Sequence, residues 1–102
     1  MAEFANPFTG LVPDRKLTDR EFARAIRMAL AAEEEAVSMY EAMADASDNP
    51  LAVKVLQDIA DEERVHAGEF QELLRMLLPD EQRMLQKGVE EVQEMAGKKD
   101  QE

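Results

Sequence analysis

The sequence contains no cysteine, which removes disulfide bridges, thiolate zinc sites and a rubredoxin-type iron centre at once. No apolar run approaches the ~18 residues a membrane span requires, and the N-terminus has no basic stretch leading into an apolar one. The expected location is therefore the cytoplasm. Positive charge is in short supply, with 12 Lys and Arg against 23 Asp and Glu, a formal net charge of −11. That balance opposes binding to nucleic acid or to an anionic membrane and suits attraction of cations. Histidine occurs once, and neither glycine nor proline falls between Thr18 and Asn49.

What is present is apolar and helical. At 102 residues and 45% apolar content, the chain has room for one small domain and is too apolar for a disordered acidic protein. Thr18-Asp19-Arg20-Glu21 forms a capping box, opening a first helix rich in Ala, Glu, Arg and Met. Ser47-Asp48-Asn49-Pro50 interrupts it. Asp48 or Asn49 then caps a second helix with Pro50 in its first turn, and Pro79 ends that helix. Asp80 can cap a shorter third helix that carries Met84, Leu85, Val89 and Val92 and is weakened by Gly88. The expected organisation is an extended N-terminal arm over 1–17, helices over about 18–47, 50–78 and 80–95, and a flexible end over 97–102. A connection of two or three residues makes the first two helices an antiparallel hairpin. One such hairpin has a single layer of contact, so self-association is expected to cover the rest of its apolar surface.

The hairpin is organised around Asp61-Glu62-Glu63-Arg64-Val65-His66, with Glu33 as a counterpart thirty residues upstream. Read at heptad spacing, Leu56, Ile59, Glu63, His66, Phe70, Leu73 and Leu77 form one seam. Ala23, Ile26, Leu30, Glu33, Val37, Tyr40 and Ala44 form its match. Two carboxylates and the sole imidazole thus occupy positions where the pattern asks for Leu or Ile. No Lys or Arg shares either seam to neutralise them, and burying an unpaired carboxylate costs several kcal/mol. A bound metal cation would relieve that cost. Carboxylate-bridged dimetal bundles use a Glu from each of two helices and a Glu-x-x-His from each of two others. This chain holds half of that set, and pairing two hairpins about a twofold axis would complete it at the dimer interface. The ligand types suit iron or manganese better than zinc.

Other readings of the same residues stay open. Glu63 and His66 could form a hydrogen-bonded polar layer that fixes the register of a dimer. Tyr40 is a core aromatic unless it hydrogen-bonds a ligand or takes a redox role. Glu34, Glu35, Asp58 and Glu62 could make a cation access path or simply be solvated surface.

The segment Ala32-Glu33-Glu34-Glu35-Ala36-Val37-Ser38-Met39-Tyr40-Glu41, followed by Asp61 to His66, resembles the encapsulated ferritins, the two-helix members of the ferritin-like superfamily. The resemblance covers about residues 18–95. It implies an all-α half-bundle that becomes a ferritin-like four-helix bundle on dimerisation, with dimers assembling into a ring. It implies a di-iron ferroxidase centre oxidising Fe(II) with O2, in iron storage or detoxification inside an encapsulin shell. Its ligands map onto Glu33, Glu63 and His66, and its supporting tyrosine onto Tyr40. Glu35 matches a position associated with metal access, whereas Glu34 is not a carried-over ligand. Family members addressed to a shell as separate cargo end in a short Leu/Gly-containing peptide. This chain ends Gly97-Lys98-Lys99-Asp100-Gln101-Glu102, which leaves an encapsulated, a shell-fused and a free-standing protein all open. The rival functions are a rubrerythrin-like di-iron peroxidase and a non-catalytic helical dimerisation module.

Overall fold

The computed structural model describes residues 15–101, with side chains to residue 97. Most of the expected N-terminal arm, up to residue 14, lies outside the described residues. Three helices follow in order: α1 (Asp19–Asp45), α2 (Pro50–Leu77) and α3 (Glu81–Gln101). No strand occurs among the described residues.

α1 starts where the capping box requires. The Glu21 amide donates to Thr18 Oγ1 at 3.2 Å, and the Thr18 amide donates to Glu21 Oε1 at 3.0 Å. Arg15 adds a two-pronged contact to the same carboxylate, at 2.8 and 2.7 Å. The Arg15 hydrogen bond, helped by the Thr18 amide, holds the Glu21 carboxyl down at about 2. α2 is capped by Asn49 rather than Asp48. Its side-chain oxygen accepts from the Leu51 and Ala52 amides at 3.0 and 3.2 Å, and Pro50 occupies a position where its missing N–H is harmless. The connection spans residues 46–49, slightly longer than the two or three residues expected. The Ser47 hydroxyl accepts from the Asn49 amide and so bends the chain before α2 can begin.

α1 and α2 make the one extensive helix–helix contact among the described residues. Four of the five buried apolar residues are alanines (Ala23, Ala44, Ala60 and Ala67), with Ile26 the fifth. These small side chains allow the two helices to approach closely. Of the seam expected on α2, Leu56, Ile59, Glu63, Phe70 and Leu77 are half-buried, and the other two residues are not. Ala60 and Ala67 face α1, whereas His66 and Leu73, placed in the seam from their spacing, are exposed. Heptad spacing admits two adjacent stripes on α2, and the smaller residues take the tight contact. No large side chain is completely buried among the described residues.

α3 departs from the hairpin. Backbone contacts from Glu81 to Leu78 and from Gln82 to Pro79 close the turn, and Glu81 pairs with Arg27 of α1. Beyond that point α3 runs outward, giving two long dimensions of 49 and 48 Å against 25 Å. The radius of gyration is 18.1 Å, well above the roughly 13 Å of a compact domain this size. α3 also continues through Gly97 to Gln101, longer than the expected 80–95. A mid-helix glycine costs only about 1 kcal/mol relative to alanine, and no proline follows to stop the helix. The flexible end expected over 97–102 is thus helical backbone as far as Gln101. No helix among the described residues is long and apolar enough to cross a membrane.

Candidate metal centre

The antiparallel packing sets the middle of α1 beside the middle of α2 and brings Glu33 against the Glu63–His66 pair. Three residues on α2 make about one turn, so Glu63 and His66 share a face, and Glu33 approaches that face from α1. His66 Nδ1 lies 3.6 Å from Glu33 Oε1 and 3.7 Å from Glu63 Oε2. One ligand atom from each of the three residues lies within 4.8 Å of the others.

These separations exceed hydrogen-bond range. They lie a few tenths of an ångström beyond the spacing of donor atoms around a small cation, since bonds of ~2.1 Å at angles of ~90–110° separate donors by roughly 3.0–3.4 Å, so small side-chain adjustments would bring the three donors onto one ion. Two carboxylates and one imidazole therefore form a donor set that fits iron or manganese, with two negative charges available to stabilise the ion. The same spacing weakens the purely structural reading, which needs Glu63 and His66 in direct hydrogen-bond contact.

The three residues differ in exposure. The Glu33 and Glu63 side chains are each 21% exposed, and that of His66 is 49% exposed. The cluster is seated on the hairpin but open on one side, with imidazole outermost. No buried side-chain nitrogen or oxygen among the described residues is left without a partner.

The remaining candidates stand apart from this cluster. Tyr40 is half-buried on α1, about 10 Å along the axis from Glu33. Glu34, Glu35, Asp58 and Glu62 are exposed. Glu34 borders a shallow opening that Val37 and Arg64 also line. A further feature next to the cluster was not anticipated from the sequence. Arg64, adjacent to Glu63, donates to Asp61 at 2.8 Å and crosses to Glu41 on α1. The Glu41 contact is the leading reason its pKa is raised. The Asp61/Arg64 spacing marks the local half of this clasp, but the reach to Glu41 depends on helix packing.

The family described as Rubrerythrin matches residues 25–99. The chain belongs to the rubrerythrin family. Its structure matches the crystal structure of the encapsulated ferritin domain from Pyrococcus furiosus, with a TM-score of 0.81 and 40% identity, over 90% of this chain and 93% of that one. Among curated proteins, the encapsulin nanocompartment cargo protein EncC of Myxococcus xanthus is 47% identical over 85 residues, which is 83% of this chain and 65% of that protein. A ferritin-like–encapsulin shell fusion protein of Pyrococcus furiosus is 40% identical over 84 residues, 82% of this chain and 24% of that protein. The chain thus spans less than two thirds of these curated relatives. The all-helical organisation and the ferritin-like character that the resemblance implies are borne out.

Proposed function

We propose that this ferritin-like chain is a ferroxidase subunit that oxidises Fe(II) with O2 at a di-iron site shared between two copies. The observation that carries the reading is the convergence of Glu33, Glu63 and His66 on one open face of the hairpin. A single copy supplies two carboxylates and one imidazole. A second copy related by a twofold axis would add the same three, complete a four-helix bundle and cover the exposed side of His66.

Fe(II) is the substrate in this reading. Each iron gives up one electron, and O2 takes up the electrons together with protons. Glu33 and Glu63 hold the iron through anionic oxygen, a hard donor that stabilises Fe(III) more than Fe(II) and so favours electron loss. His66 supplies the nitrogen donor, and the Ala-lined contact between α1 and α2 holds the donors in place. Tyr40 is assigned to support of the site along α1. Glu34, Glu35, Asp58 and Glu62 are assigned to drawing cations toward it. Mn(II) is the other metal that this donor set would accept.

The relatives named for encapsulins support a setting inside an encapsulin nanocompartment in the cytoplasm; assembly of the dimers into a ring is part of the proposal and rests on the resemblance alone. Loading the chain together with an encapsulin shell and measuring iron retained per particle, beside Glu63→Ala, tests that setting. The match to the rubrerythrin family favours one rival, a di-iron peroxidase. Faster Fe(II) oxidation with peroxide than with O2 at equal oxidant would select that rival. The 102 residues contain no cysteine for a rubredoxin-type electron donor, so a peroxidase would depend on reductant from elsewhere.

A further inference from the structure

The contact between α1 and α2 is smooth. Ala23, Ala44, Ala60 and Ala67 are four of the five buried apolar residues, and no large side chain is completely buried among the described residues. Alanines let two helices approach closely, but their ridges are shallow and resist sliding poorly. The donor set leaves little room for sliding. His66 Nδ1 stands 3.6 and 3.7 Å from the Glu33 and Glu63 oxygens, at the outer edge of what one small cation spans. Glu33 comes from α1 and the other two donors from α2, so a slip of one helix along the other moves Glu33 relative to both at once.

Among the described residues, one side-chain hydrogen bond joins α1 to α2, from Arg64 to Glu41. Asp61 holds the same guanidinium on α2 at 2.8 Å and so aims it before it crosses. Ala60 and Ala67 lie between Glu63 and Arg64 in helical projection, so the clasp closes the hairpin on the side away from the donors. Openings flank it on that side. One of about 340 Å³ is lined by Arg64 with Glu34, Val37 and Gln71, and one of about 240 Å³ by Glu41 with Ala44, Asp45 and Gln57. The clasp therefore bridges the helices where packing does not.

We propose that Arg64 and Glu41 are positioning residues, whose clasp fixes the register of α1 against α2 and so holds Glu33 within bridging distance of Glu63 and His66. The inference rests on the metal reading of that cluster. Both side chains of the clasp are about half exposed, and an exposed ion pair contributes little to stability. Its effect is on which of several similar packings of the alanine seam is populated, and a polar contact among apolar ones is an attested means of selecting register. Arg64 follows Glu63 directly, so drawing Arg64 toward Glu41 also sets how far α2 turns Glu63 and His66 toward Glu33.

Charge and register predict opposite signs. Arg64 is a positive group next to a cation site, so by Coulomb repulsion alone its removal should tighten cation binding. If the clasp sets the register, its removal weakens binding, because the donors then spend part of their time out of bridging distance.

The test is Mn(II) binding to the full chain, read without any oxidation as loss of the free-ion electron paramagnetic resonance signal. Arg64→Ala is expected to bind roughly 3- to 10-fold more weakly than the parent, since displacements well under 1 Å are at stake. Its helical circular dichroism should be unchanged, and Arg64→Lys should recover most of the affinity. The register is read separately. The absence of cysteine allows nitroxide labels at Ser38→Cys on α1 and Lys54→Cys on α2, both exposed positions, in labelled chains diluted into unlabelled ones. The label-to-label distance distribution should broaden or shift when Arg64→Ala is added. The proposal stands only if affinity and distance both change. Equal or tighter Mn(II) binding by Arg64→Ala overturns it, as does an unchanged distance distribution. A parent chain whose Mn(II) binding is absent, or survives Glu63→Ala, overturns the metal reading itself, and that outcome is distinct from either of these.

Discussion

The middle of the hairpin and the outer part of α3 are both incomplete in one copy of the chain, for opposite reasons. The hairpin gathers charge: Glu33, Glu63 and His66 converge where the surrounding pattern is apolar. α3 gathers apolar surface, from Met84 to Met95, where a lone helix in water should be polar. A cation and a twofold partner would satisfy the first region, and an apolar contact from outside the chain would satisfy the second. The chemistry of each surface thus indicates what covers it, and the two can be broken separately.

The largest expected effect is at the donor set. His66→Ala should lower Fe(II) oxidation by at least ~100-fold, since removing even an outer partner of a metal ligand costs about 10–100-fold. Its helix content should be unchanged, because His66 is half-exposed and packs little. Stopped-flow ferric absorbance beside circular dichroism checks both points. Val92→Glu should do the reverse, lowering the sedimenting mass while each remaining species keeps its iron oxidation. If either substitution abolished both properties, the two regions would be one cooperative unit and the contrast between them would fail.

Smaller effects concern the frame. Asn49→Ala removes the side-chain acceptor for two amides at the start of α2. It should cost about 1 kcal/mol, read as a lower thermal midpoint. Glu21 gives a pH signature. Its folded-state pKa lies at about 2, below its ordinary 4.5. The stability it contributes is therefore present above 4.5 and lost as pH falls toward 2. Glu21→Gln should flatten acid unfolding in that window and leave neutral-pH iron oxidation unaffected. The smallest effect is expected from Glu41→Gln, which cuts the exposed clasp to Arg64. Added salt should erase the difference in thermal midpoint, because exposed ion pairs are screened.

The sequence makes some of this architecture legible and hides the rest. Thr18 with Glu21 and Asn49 with Pro50 announce the helix starts, because capping uses neighbours in the chain. Glu33, Glu63 and His66 stand out because charged residues interrupt an apolar seam. The face that α2 turns to α1 is harder to read. Ala60 and Ala67 form a second stripe beside the expected one, and close packing rather than hydrophobicity selects it. The Arg64–Glu41 clasp is hidden because it joins residues that only the folded hairpin brings together. The length of α3 is misread at Gly97, where a glycine looks like a stop but no C-terminal breaker follows.

The most direct test of the central claim is aerobic Fe(II) titration of the purified chain, following ferric absorbance beside a Glu63→Ala control. The account predicts a fast, saturable phase that ends near two irons per pair of chains and is missing from the control. Oxidation no faster than in buffer, or equally fast in Glu63→Ala, would contradict it.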